Sequence, residues 1–235
     1  MKNLPKQKLK KAKATNLFPD PKLPPTQQDF RETFQWRIFR IMAEFVEGFH
    51  FIADFKKNIT IFGSTSFSPD NPYYKEARKL GKLLAEAGYG VITGGGPGIM
   101  EAANRGAFEG DGESIGINIE LPDGQRMNSY VNKPIGFHHF FTRKVMLSFA
   151  SEAYVFFPGG FGTLDEFFEM VTLIQTKKLA KPVPIIVIGK EYWQPLFDWV
   201  KQEVYEKQHA IEKEDLEIFH LVDSIEEVLK IIKKS

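Results

Sequence analysis

Residues 88–109, GYGVITGGGPGIMEAANRGAFE, decide the fold. A short apolar run ending in Val91, Ile92 and Thr93 meets Gly94-Gly95-Gly96-Pro97-Gly98, and a helix is expected from there to residue 109. A buried strand, a glycine turn and a helix in direct succession form the repeating unit of a parallel sheet with helices on both faces. In such a sheet, ligands bind beyond the carboxyl ends of the strands, where glycine turns of this kind lie.

Outward from this unit the chain keeps alternating. Residues 58–63 (NITIFG) read as a buried strand and 72–87 as an amphipathic helix with Ala77, Leu80, Leu83 and Leu84 inward. Strands are expected at 90–93, 114–120, 134–141, 153–157 and 183–188, with an edge strand at 218–222. Helices are expected at 142–150, 163–176, 192–205 and 224–234, the last opened by a capping box of Ser224 and Glu227. The fold class is therefore α/β, a doubly wound parallel sheet of Rossmann type, with an N-terminal helical extension.

That extension spans residues 26–57, ahead of the Rossmann-like domain at 58–235. Thr26-x-x-Asp29 resembles a capping box, and Phe30, Phe34, Ile38, Ile41, Phe45, Phe49 and Ile52 recur at spacings of three and four, one face of a helix running to about residue 53. Trp36, Phe39, Met42 and Val46 widen the stripe, so either a partner subunit or two-sided burial within the chain would cover it.

The 235 residues include 31 basic and 30 acidic side chains and no cysteine, which excludes disulfides, thiolate metal sites and thiol nucleophiles. Charge is unevenly spread. Residues 1–25 hold seven lysines against Asp20 alone and read as a flexible basic tail, with attraction to nucleic acid or an anionic surface as the alternative. The remainder is mildly acidic. No apolar run reaches the roughly 18 residues of a membrane helix, so no membrane partner and a cytoplasmic location are expected.

Three turns at the same sheet edge carry the chemistry: Gly63-Ser64-Thr65-Ser66, the 94–98 turn, and Pro158-Gly159-Gly160-Phe161-Gly162-Thr163. Glycine lets backbone N–H groups approach an anion, and the following helix turns its positive dipole end to the same place. Ser64, Gly95, Gly96, Gly98, Gly159, Gly160, Gly162 and Thr163 are thus candidate phosphate-binding residues. No Gly-Lys-Ser/Thr completes a P-loop, and Ile99 breaks Gly-x-Gly-x-x-Gly. Glu166 lies one turn inside the helix opened by Gly162-Thr163, where the helix dipole would favour its ionised form. Arg143 and Lys144, early in an upstream helix, can reach the same edge. His138-His139 is not read as a metal pair, because adjacent strand residues face opposite sides. His50, His209 and His220 share no ligand spacing.

Together, Gly94 to Ala107, Arg143-Lys144 and Pro158 to Glu166 (PGGFGTLDE) resemble the LONELY GUY family, cytokinin riboside 5′-monophosphate phosphoribohydrolases long mislabelled as lysine decarboxylases. All fixed positions of that family's PGGxGTxxE pattern are matched, whereas Phe140 and Leu147 stand where short members carry methionine. The resemblance implies hydrolysis of the N-glycosidic bond of a nucleoside 5′-monophosphate, AMP or a cytokinin riboside monophosphate. It implies Glu166 and Arg143 as catalytic residues, Lys144 beside the phosphate, no metal or organic cofactor, and a homo-oligomer. Glu166 would stabilise a cationic ribosyl centre, hold ribose hydroxyls or activate water. Glu101 and Asn104 are further candidates to meet the substrate or a neighbouring subunit. Nucleic acid is not expected as a partner. The alternative is a non-catalytic module of the same fold type, a molybdenum-cofactor carrier or a single-stranded-DNA binder.

Overall fold

The structure is a computed structural model that describes residues 29–120, 127–179 and 183–234. The basic tail and Thr26 lie outside the described residues. Seven strands, β1 (Asn58–Phe62), β2 (Gly90–Thr93), β3 (Ser114–Ile119), β4 (Lys133–Phe137), β5 (Ala153–Phe156), β6 (Ile185–Ile188) and β7 (Phe219–Val222), form one sheet in the order β4-β3-β2-β1-β5-β6-β7. Every pairing is parallel. The order reverses between β1 and β5, which makes that junction the topological switch point where a doubly wound sheet opens a crevice.

The five central strands are buried along their whole length, as strands covered by helices on both faces are. Alternate residues serve opposite faces. Ile59, Ile61, Ile186 and Ile188 join a core with α2 (Pro72–Glu86), α3 (Ile99–Glu109) and α7 (Ile225–Ile232). Phe62, Ile185 and Val187 join a second core with α4 (Phe140–Phe149), α5 (Phe161–Gln175) and α6 (Lys190–Trp199). The α/β doubly wound parallel sheet is therefore the fold. The capping box of α7 is present, with the Ser224 hydroxyl accepting from the Glu227 N–H and the Glu227 carboxylate accepting from the Ser224 N–H. Beyond Trp199 the chain continues as a π-helix through Lys207. Among the described residues no helix is long and apolar enough to cross a membrane.

The amino-terminal helix departs from its expected form. Asp29 caps only a single 3₁₀ turn, Phe30–Glu32, and the helix proper, α1 (Phe34–Ala53), starts after Thr33, whose hydroxyl accepts from the Trp36 N–H. The described residues divide into two units between Ala43 and Glu44, inside α1. Among the described residues, Phe34, Ile38, Phe39, Met42, Val46 and Phe49 of α1 are exposed. The residues of α1 that are fully buried are Glu44 and Gly48, with Phe45, Phe51 and Ile52 half-buried against the α4–α6 core. Periodicity gives a helix but not its inward face, and Glu44 turns inward because donors from another element satisfy its carboxylate.

The same carboxylate explains a second difference. β4 ends at Phe137 instead of extending to residue 141, because the N–H groups of His138 and His139 donate to Glu44 and leave the ladder. α4 then begins at Phe140, two residues early.

Candidate active site

At the switch point, a cleft of about 430 Å³ opens beyond β1, β2 and β5. It is lined by Ser64, Gly94, Arg143, Gly160, Gly162, Thr163 and Glu166, with Phe62, Met100, Ile119, Phe140 and Leu147 as its apolar part. Ser64 from the first turn, Arg143 from α4, and Gly160, Gly162, Thr163 and Glu166 from the last turn and the start of α5 are thus brought together. Phe140 and Leu147, the positions at which the sequence departs from the short family members, are part of the same wall.

The two glycine-rich turns are built differently. Gly98 has φ +70°, and a methyl group there would lie 2.2 Å from the Ser64 carbonyl oxygen; the start of α3 rests directly on the first turn, with the Ile99 N–H donating to that oxygen. Gly95 and Gly96 are buried and face inward. Their carbonyls accept from the Asn128 backbone N–H and side-chain amide, and the Gly95 N–H donates to the Thr93 hydroxyl. Among the candidates in this turn, none lines the cleft. In the other turn, Gly160 and Gly162 have nothing within 4 Å of where a side chain would begin, and both face the cleft. Gly159 lies beneath them, packed on the Thr163 hydroxyl. First-turn amides of a helix have no intrahelical acceptor, so the start of α5 presents N–H groups and the positive dipole end to an open space, an arrangement that suits an anion.

Arg143 comes from the first turns of α4. Its Nε donates to the Ile117 carbonyl at 2.8 Å, which anchors the guanidinium at the end of β3 beside Gly94. Burial lowers its pKa and the Glu166 charge opposes that. Lys144, the next residue, turns away. Its ammonium lies 2.8 Å from Asp165, 2.6 Å from Glu169 and 3.4 Å from Glu166. Burial would lower the Lys144 pKa, but the hydrogen bonds to Asp165 and Glu169 outweigh it and hold the ammonium above its ordinary range. The structure thus places Lys144 behind Glu166 as its counter-ion and not on the glycine turns.

Glu166 is 14% exposed, and burial drives its pKa up to about 7. Lys144 and Arg143 pull it down, while Glu169 and Asp165 push it up. The expected dipole-favoured ionisation is therefore overridden by desolvation, which penalises the charged form more than one helix end repays. Asn104 is fully buried and bonded to Thr93, Ser114, Ile115 and Asn128, and Glu101 accepts from the Tyr74 hydroxyl at 2.9 Å. Neither lines the cleft. The two histidines do not face apart as strand neighbours would, because they sit in the turn after β4 and both approach Glu44, at 3.4 and 3.0 Å. No cluster of three or more potential metal ligands occurs among the described residues.

Sequence reasoning missed Glu169 and Asp165, although Glu166 and Glu169 stand three apart on a helix and so share a face. It missed Glu44 because nothing local marks a carboxylate whose partners lie 94 to 98 residues away.

The family model described as "Possible lysine decarboxylase" matches residues 100–232. A probable cytokinin riboside 5′-monophosphate phosphoribohydrolase of Oryza sativa subsp. japonica is 27% identical over 155 residues, covering 64% of this chain and 61% of that protein. The chain thus matches less than two thirds of that relative's length. A cytokinin riboside 5′-monophosphate phosphoribohydrolase of Rhodococcoides fascians is 25% identical over 161 residues, 64% of this chain and 77% of that one. Among solved structures, the molybdenum cofactor binding protein of Rippkaea orientalis superposes with a TM-score of 0.55 at 25% identity, over 76% of this chain and 96% of the other.

Proposed function

The chain belongs to the family described as possible lysine decarboxylases, the LONELY GUY family, and from that premise we propose that it hydrolyses the N-glycosidic bond of a nucleoside 5′-monophosphate. Water adds across the bond between C1′ and the base nitrogen, releasing free base and ribose 5-phosphate. The observation that carries this reading is the convergence of Glu166, Arg143 and the open start of α5 on one cleft.

The 5′-phosphate sits on the amides at Gly160 and Gly162 with the Thr163 hydroxyl, which fixes the ribose over Glu166. As the base departs, positive charge builds on the sugar in an oxocarbenium-like state. The Glu166 carboxylate opposes that charge from within a partly dry cleft, where the interaction is stronger than in water. The planar base occupies the apolar wall of Met100, Ile119, Phe140 and Leu147, next to the Arg143 guanidinium. Arg143 orients the base or neutralises charge on the leaving group. AMP or a cytokinin riboside monophosphate is the substrate, no metal or organic cofactor takes part, and the protein acts as a homo-oligomer.

Incubation of the protein with a panel of nucleoside monophosphates, followed by chromatography for free base, tests the reading. Base release from AMP or isopentenyladenosine monophosphate is expected. Binding without release from any nucleotide would favour a non-catalytic module, a reading to which the likeness to the Rippkaea orientalis protein lends weight.

A further inference from the structure

Glu44, 8% exposed near the middle of α1, is met by donors from the chain that enters α4. The His138 N–H donates to Oε1 at 3.0 Å and the His139 N–H to Oε2 at 3.4 Å. The His139 ring Nδ1 and the Thr142 hydroxyl lie 3.0 and 2.6 Å from Oε2. Together, the Thr142, His138 and His139 hydrogen bonds outweigh the effect of burial and hold the Glu44 carboxyl below its usual range. On its far side the His138 ring reaches Glu120 at 2.8 Å.

His139 is the N-cap residue of α4 and makes no side-chain cap of its own. In a capping box the third helical residue is an acid or amide that reaches back to the N–H of the cap residue. Here that third residue is Thr142, whose hydroxyl lies 2.6 Å from Glu44 Oε2 and 2.8 Å from the His139 carbonyl oxygen, and it is Glu44 that accepts from the His139 N–H. A carboxylate 95 residues distant in sequence closes the box and brings negative charge to the positive end of the helix. The two helices must be close for this to happen. Gly48, one turn beyond Glu44, permits it, because a methyl group there would lie 2.5 Å from the Met146 sulfur and 3.0 Å from the Phe137 ring.

Arg143 directly follows Thr142, and its N–H is the first to bond back to the cap carbonyl, at 3.3 Å from the His139 oxygen. We propose that Glu44 is a positioning residue: supplied by α1, it fixes the start of α4 and so holds the Arg143 guanidinium in the cleft. The effect on nucleotide rests on the function proposed above; the effect on α4 does not.

The test uses the full chain with Glu44→Ala, the milder Glu44→Gln, Arg143→Ala and the double variants. Amide hydrogen exchange is read at the start of α4, AMP affinity by calorimetry, and kcat and KM by base release. Faster exchange confined to the start of α4 is expected in both Glu44 variants. Glu44→Ala should weaken AMP binding about tenfold, with Glu44→Gln between it and the parent. That loss should vanish in the Arg143→Ala background, because the two residues act through one contact. Unchanged exchange at the start of α4 would overturn the proposal whether or not AMP binds. AMP affinity within twofold of the parent in Glu44→Ala, or losses that multiply in the double variant, would overturn it equally. If the parent binds no AMP while the Glu44 variants show faster exchange at the start of α4, the proposed function falls and the cap stands.

Discussion

The turns at 94–98 and 158–163 look alike in sequence, each dense in glycine and each opening a helix, yet they do opposite things. In the first, Gly94 alone borders the cleft, while the others serve the protein's own backbone: Gly98 takes a positive φ against the Ser64 carbonyl, and Gly95 and Gly96 bond to Asn128. In the second, Gly160 and Gly162 border open space at the mouth of the cleft. Glycine density therefore marks close approach without saying what approaches. What a side chain would meet at each position separates a packed turn from an open one.

Substitution should split the pair by sign. Gly98→Ala forces a methyl group into a carbonyl and an alanine into a left-handed conformation, and a loss of about 3 kcal/mol or more is expected. Chemical denaturation would detect it, and a midpoint unchanged from the parent would erase the distinction between the turns. Gly162→Ala, inside α5 with room for a methyl group, should instead raise stability by up to about 1 kcal/mol through helix propensity. The same methyl group should weaken nucleotide monophosphate binding, about tenfold by calorimetry, because it crowds the anion's approach. Stability and binding falling together would mean that Gly162 is structural after all.

The adjacent cations sharpen the contrast further. Arg143 faces the cleft, and Lys144 faces the carboxylates behind it. Lys144 lowers the Glu166 pKa, so Lys144→Met should raise it further. With the ionised carboxylate as the working form, base release rises with pH through about 7, and this variant should move that acid limb upward. The pH dependence of kcat/KM would show it; a limb that stays in place would detach Lys144 from Glu166.

Much of this architecture was legible because it is local. Apolar runs such as Ile185–Ile188 read as strands buried on both faces, and Ser224 with Glu227 announced its own helix. The cleft residues were legible because the turns at carboxyl ends of parallel strands must meet at the switch point. What failed was non-local. The inward face of α1 depends on Glu44 finding donors far along the chain, and the end of β4 depends on the same carboxylate. The Glu166 pKa depends on how much of α4 and α5 covers it, which no helix position discloses.

The proposed chemistry depends on Glu166, and Glu166→Gln is its decisive variant. The substitution removes the charge from a buried, costly carboxylate while keeping its shape, so the variant should be at least as stable as the parent, by about 1 kcal/mol or more. Base release from AMP should fall by about a thousandfold or more, with AMP affinity within a few fold of the parent because the phosphate contacts remain. Near-normal turnover in a folded Glu166→Gln protein would remove Glu166 from the chemistry and overturn the proposed function.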